Sequence, residues 1–443
     1  MRGLKSLAKD TAIYGLSSII GRFLNWLLVP FYTYVLRQTA DYGVVTSMYA
    51  WTAFLLVALT YGMETGFFRF ANREDMNATS VYKTALCSLF NTSVLFVVMV
   101  MAVQHPLAAL MGYSGYEECM VMMAITVAMD AYSCIPFAYL RYQKRPIVFA
   151  ALKLLFVALN IGLNLFFYLV MKVDDVRYVF VSNILATGIE TAILLPVTWP
   201  KRHGHVDTQI LRDMLHYCMP LLLLGVVGIM NQTLDKIIFP YLYTGEDAMA
   251  QLGIYGACFK VAMVMMVFTQ AFRYAYEPFV FARHKDKNSA EARADIMNWY
   301  ILCSYVVLLG VLVGLPLIKY LHILKPTYWS GLKIIPIVLW TYVFQGVYFN
   351  LSFWYKLTDQ TYWGAYFSFI ALVINFGLQI LFVPVMGYYA SCGAGLVSYF
   401  VVMIISYLVG QKKAPVPYDL KRIGIYTLVT LVLFTCCMLF LPL

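Results

Sequence analysis

Ten ionisable side chains lie inside stretches too apolar to sit in water: Arg22, Lys153, Lys236, Lys260 and Arg273, with Glu64, Asp130, Glu190, Asp235 and Glu277. A charge at bilayer depth costs at least ~2.5 kcal/mol on insertion scales, so such residues face a bundle interior or a wet cavity and mark substrate or ion paths. The cations suit an anionic group, because guanidinium and ammonium make charge-assisted hydrogen bonds to phosphate oxygens. The carboxylates Glu64, Asp130 and Glu190 suit a proton or a metal cation as coupling ion, and also read as simple ion-pair partners of Arg22 or Lys153. Arg22 is the sharpest candidate, with Asn25 one turn away and no acid at i±3 or i±4. Arg273 and Glu277 are i, i+4 on one helix face and also read as a self-neutralising pair. Lys153, within two turns of a cytoplasmic end, reads as a lysine that snorkels to the interface. Asp235 also reads as a group that only neutralises Lys236, although adjacent residues point to different faces of a helix.

The elements that carry these residues are membrane spans. The chain has 443 residues, 62% hydrophobic and 12% charged, unlike any soluble composition. Charge-free runs such as 84–116, 296–318 and 334–355 each exceed the ~20 residues a spanning helix needs. Apolar runs broken by charged or Pro/Gly turns predict thirteen spans, near 11–35, 43–68, 84–104, 119–140, 147–171, 178–199, 214–243, 252–281, 297–318, 333–355, 362–384, 389–410 and 423–441. The net charge of +10 reports orientation, not a nucleic-acid partner. With the N-terminus cytoplasmic, 21 loop cations fall on that side and 6 on the other, as the positive-inside rule requires.

A gapless shift of 210 positions aligns Gly15 with Gly225, Leu24 with Leu234, Pro30 with Pro240 and Gly43 with Gly253, and places Arg22, Asn25 and Trp26 on Gln232, Asp235 and Lys236. The halves therefore read as parallel repeats of six spans, each with one polar face at the same depth. Expected boundaries are an N-lobe over 1–200, a cytoplasmic linker over 201–213, a C-lobe over 214–410, and a loop with one further span over 411–443. The amides Asn160, Asn164, Gln345, Asn350, Asn375 and Gln379 read as helix–helix glue. The nine cysteines form no C-x-x-C pair, and His203 and His205 lack neighbouring ligands, so neither a metal site nor a cofactor is expected. No nucleophile elbow or phosphate-binding glycine loop is present, so neither an enzyme nor an ATP-driven pump is expected.

The opening KSLAKDTAIYGLSSIIGRFLNWLLVPFYTYVLRQTADYGVVTSMYA and its counterpart MPLLLLGVVGIMNQTLDKIIFPYLYTGEDAMAQLGIYGACFKVA carry a resemblance. A basic N-terminus, a helix ending in Pro, a polar loop and then Tyr-Gly make the chain similar to the polysaccharide (Wzx-like oligosaccharide-lipid) flippases of the MOP superfamily. The resemblance implies an all-α, MATE-like membrane fold of two six-helix lobes that alternate access, plus at least one extra C-terminal helix. It implies an undecaprenyl-diphosphate-linked oligosaccharide as cargo, moved from the cytoplasmic to the outer leaflet of a bacterial inner membrane for surface polysaccharide synthesis. Membrane lipid and polysaccharide polymerases are its implied partners, and H⁺ or Na⁺ its coupling ion. Arg22, Asn25, Gln232, Lys236, Lys260 and Arg273 are then the substrate-binding candidates, and Glu64, Asp130 and Glu190 the ion-coupling ones. A drug or cation antiporter of the same fold is the alternative, with the carboxylates as its working groups. A membrane glycosyltransferase or ligase is a third reading, and the short outer stretch around Lys319–Ser330 argues against it.

Overall fold

The computed structural model describes residues 20–21, 23–199, 204–283 and 288–440. The described residues contain no β-strand, as expected where hydrocarbon leaves backbone polar groups no partner outside their own helix. A short apolar helix, α1 (Phe23–Val35), comes first, and twelve helices long and apolar enough to cross a bilayer follow. They are α2 (Thr39–Ala71), α3 (Ala78–Ala102), α4 (Glu117–Tyr142), α5 (Pro146–Val170), α6 (Arg177–Thr198) and α7 (Thr208–Leu242). The second half continues with α8 (Ala248–Arg283), α9 (Ser289–Tyr320), α10 (Pro326–Leu357), α11 (Tyr362–Met386), α12 (Tyr388–Lys413) and α13 (Leu420–Phe440). The all-helical architecture with an extra C-terminal helix matches the expectation, and α2 to α13 fall on the second to thirteenth expected spans.

Punctuation residues explain the breaks. Gly62, at φ +73, interrupts α2, a left-handed conformation glycine adopts at little cost. Gly387, at φ +57, separates α11 from α12 in the long charge-free stretch. Pro146 opens α5, where its missing N–H removes no helical bond. One expected boundary moves: Pro326–Ile334, read from sequence as part of an outer loop, is a 3₁₀ segment that forms the first part of α10.

The chain forms two compact units. The first takes in the described residues up to Leu28, then Val35–Arg37 and Val44–Thr233; the second takes in Val29–Tyr34, Gln38–Gly43 and Leu234–Leu443. Within the first, α4 packs on α3 and α6, and α5 on α6. An aromatic cluster of Phe67, Tyr82, Tyr139 and Tyr142 joins the end of α2 to α3 and α4, and Met214 and Cys218 of α7 pack into the same core. Within the second, α12 packs on α10 and α11, α8 on α10, and α13 on α9.

The opening turn of α2 belongs to the second unit and crosses the start of α8 at two glycines. A Cβ on Gly43 would sit 1.9 Å from the carbonyl oxygen of Met249, and one on Gly253 would sit 2.0 Å from that of Thr39. Gly43 and Gly253 are equivalents under the 210-residue shift, and so are Thr39 and Met249. The repeat thus supplies a backbone-to-backbone contact in which each half contributes the same glycine. Gly253→Val should force the helices apart, at a cost of about 1–3 kcal/mol or more for overpacking. Thermal unfolding of detergent-purified protein should show a clear fall in midpoint; an unchanged midpoint would refute the close crossing.

Candidate functional site

The embedded charges gather into four clusters, two in each unit. In the second unit, Asp235 and Lys236 on α7 are nearly closed off, with side chains 11% and 12% exposed, and Lys236 Nζ lies 2.7 Å from Asp235 Oδ2. Adjacent residues leave a helix in different directions, but the four-carbon lysine stem folds back far enough to meet its neighbour. The Tyr255 hydroxyl donates to the same carboxylate oxygen. The ammonium also stands 3.8 Å from the Phe259 ring centroid and 5.3 Å from that of Tyr255, within cation–π range. Lys260, half-buried on α8, is within electrostatic range of Lys236. Gln345 Nε2 donates to Tyr399 Oη at 2.8 Å, and both Tyr342 and Tyr399 lie within electrostatic range of Asp235. This centre combines two ammonium groups, one carboxylate and an aromatic wall.

Arg273 sits apart, thirteen residues beyond Lys260 on α8, roughly 20 Å along the axis. It pairs with Glu277 at 3.0 Å, as the i, i+4 spacing suggested, and lies 4.7 Å from the Phe349 ring centroid. Lys356, counted from sequence among the loop cations, joins the pair at 3.6 Å from Glu277.

In the first unit, Glu190 on α6 is 2% exposed at its side chain and receives Lys153 Nζ from α5 at 3.1 and 3.4 Å. The ammonium that was expected to snorkel instead lies on this carboxylate and 3.7 Å from the Phe137 ring centroid. Asp130 on α4 lies within electrostatic range of both Lys153 and Glu190. Glu64 is separate from them. It pairs with Arg141, a residue counted from sequence as a loop cation.

Arg22 lies outside the described residues, as does part of the expected linker, 201–203. Asn25 is half-buried, and its Oδ1 has no hydrogen-bond partner among the described residues. Gln232 is exposed, in the part of α7 that belongs to the first unit. The amides expected to act as glue are largely satisfied inside their own helix or by a neighbour. Asn164 Nδ2 donates to Asn160 O at 2.8 Å, Gln379 Nε2 to Asn375 Oδ1 at 3.1 Å, and Ser391 Oγ to Gln379 Oε1 at 3.2 Å. Among the described residues no three His, Cys, Asp or Glu side chains are grouped to hold a metal ion. Sequence reasoning missed Tyr255, Phe259, Tyr342 and Tyr399, because one tyrosine in an aromatic-rich chain looks like any other until its neighbours are known.

The sequence signature described as polysaccharide biosynthesis protein matches residues 36–320. The chain belongs to that family. No curated protein matches the sequence. Among solved structures, a lipid II flippase, MurJ, in an inward closed conformation is similar with a TM-score of 0.76 and 13% identity, over 97% of this chain and 93% of that one. An inward-facing multidrug resistance MATE family transporter of the MOP superfamily scores 0.72 at 14% identity, over 92% and 95%. A MOP superfamily transporter from Pyrococcus furiosus scores 0.62 at 14% identity, over 95% and 96%. The fold is therefore that of the MOP superfamily, as the resemblance implied. This member of the polysaccharide biosynthesis family is a multi-pass membrane protein with a transporter fold.

Proposed function

We propose that the protein is a flippase that moves an oligosaccharide on an undecaprenyl-diphosphate carrier from the cytoplasmic to the outer leaflet of a bacterial cytoplasmic membrane, by alternating access and without catalysis. The family match supports a polysaccharide role. The observation that carries the chemistry is the closed-off centre at Lys236, where Lys260 adds a second ammonium to the Asp235–Lys236 pair. Two ammonium groups in one centre favour a diphosphate, to which they can make charge-assisted hydrogen bonds. The sugar head cannot cross hydrocarbon and needs an internal path; the polyprenyl tail is at home in the bilayer. On this reading Lys236 and Lys260 meet the diphosphate in one centre, Arg22 is a further diphosphate contact, Arg273, roughly 20 Å from Lys260 along α8, meets it at another point of its path, and Asn25 and Gln232 meet sugar hydroxyls. Glu64, Asp130 and Glu190 are the candidates for coupling to H⁺ or Na⁺. The distribution of loop cations puts the N-terminus on the cytoplasmic side.

The deciding experiment is the sidedness of lipid-linked oligosaccharide in cells depleted of the protein. The expected result is build-up on the cytoplasmic leaflet, reversed by the wild type. A normal distribution accompanied by accumulation of a lipophilic cation dye would instead assign the protein to drug or cation antiport, where the carboxylates of the first unit do the work.

A further inference from the structure

We propose that Asp130, Lys153 and Glu190 form a one-proton binding site in the first unit, in which the position of the Lys153 ammonium decides which carboxyl carries the proton. The proposal deepens the transport reading, since it names the coupling ion and narrows three candidate carboxylates to two.

Three helices build the site: α4 supplies Asp130, α5 Lys153 and α6 Glu190. Lys153 Nζ spans both oxygens of Glu190, at 3.1 and 3.4 Å, with the Phe137 ring beneath it. Asp130 lies within electrostatic range of both, and makes no hydrogen bond or ion pair with any described residue. Tyr49 of α2 is the other titratable group within electrostatic range of Asp130. Its hydroxyl is already engaged as acceptor of Asn183 Nδ2 at 3.0 Å. A hydroxyl pair between Ser133 and Thr191, at 3.0 Å, ties α4 to α6 beside the site.

Charge counting then determines the occupancy. Two carboxylates share one ammonium, and an uncompensated charge inside a helix bundle is costly, so the site is balanced with one proton bound. With Lys153 on Glu190, that proton belongs to Asp130. When Lys153 turns to Asp130, its departure leaves Glu190 uncompensated, and the proton passes to Glu190. One proton and one ammonium are conserved across the exchange.

The two carboxyls differ in access. Glu190 is shut off at 2% side-chain exposure, whereas Asp130 is half-buried and Lys153 keeps 38% of its side chain exposed. The lysine therefore has room to move between the two carboxyls. Glu64 has no share in this exchange, because the Arg141 guanidinium, which stays charged, already balances its carboxylate and leaves no need for a proton there. A metal cation is a poor occupant of the same place, since the ammonium already covers both oxygens of Glu190.

The test is infrared difference spectroscopy of the full chain in liposomes of bacterial polar lipids, following the protonated-carboxyl C=O band as pH is raised. Wild type should lose the band of one protonated carboxyl per chain. Asp130→Asn should lack that band. Glu190→Gln should lack it too, because Lys153 then pairs with Asp130 and no surplus carboxylate remains; this second variant serves if the first does not fold. Glu64→Gln should keep it. Persistence of the band in Asp130→Asn or Glu190→Gln would overturn the site, as would a wild-type response that follows sodium at constant pH. The readout needs no cargo, so the proton site can fail while the leaflet-sidedness result stands, and the reverse.

Discussion

Lys236→Ala should abolish surface polysaccharide in cells while leaving the protein in the membrane. The ammonium is 12% exposed, paired with Asp235 and faced by the rings of Phe259 and Tyr255, so little water is present to screen it. A hydrogen bond to a charged group contributes about 1.5–3 kcal/mol, roughly a ten- to hundredfold loss of affinity for the diphosphate when it is removed. Lys236→Arg should retain part of the activity, because it preserves the charge. Asp235→Asn should be milder than Lys236→Ala, since it leaves the cation in place. Arg22→Ala is expected to behave like Lys236→Ala. The measurement is surface glycan by immunoblot against membrane-fraction protein. Normal glycan in Lys236→Ala would remove this centre from the cargo path.

Lys153→Met should destabilise the protein by about 3–5 kcal/mol, the cost of stranding one member of a buried ion pair. Glu190 is the stranded group, and it lies too deep for water to replace the ammonium. Adding Glu190→Leu should restore much of the loss, because replacing both partners with apolar groups of similar size is often neutral. The unfolding midpoints of wild type, the single variant and the double variant decide this. A single variant as stable as the wild type would mean that the pair contributes little to the fold. A double variant with restored stability and no glycan export would separate the pair's structural role from its part in proton binding.

Most of the fold was legible because membrane insertion is a local test. A run of ~20 apolar residues spans a bilayer almost regardless of its neighbours. The apolar runs therefore marked α2 to α13, with most ends close and the starts of α3, α7, α9 and α10 more than one helical turn late, and Gly387 marked a turn inside the longest charge-free stretch. The start of α10 was less legible, because Pro, Lys and Ser around 325–330 look like a loop even where they form a 3₁₀ turn.

The charged residues were legible as a set but only partly as pairs. Arg273–Glu277 could be read from spacing, since both partners share one helix. Lys153–Glu190 was one of several pairings the sequence left open, and Glu64–Arg141 was not read at all, because each pair joins two different helices. The Asp235–Lys236 pair was left open for a different reason: adjacent residues leave a helix in different directions, and only the flexible lysine stem closes the gap.

By itself, then, the sequence determined that the chain crosses the membrane many times, where the spans lie, that its halves repeat and which residues bear charge at depth. Each of these depends on composition within a window or on a comparison of the chain with itself. Only the tertiary structure decided that Lys153 lies on Glu190 with Asp130 near both, that Tyr255 closes over Asp235, and that Gly43 and Gly253 meet. Those facts depend on which helix faces lie against one another. Hydropathy is nearly uniform around a helix buried in lipid, so it carries no signal about its facing.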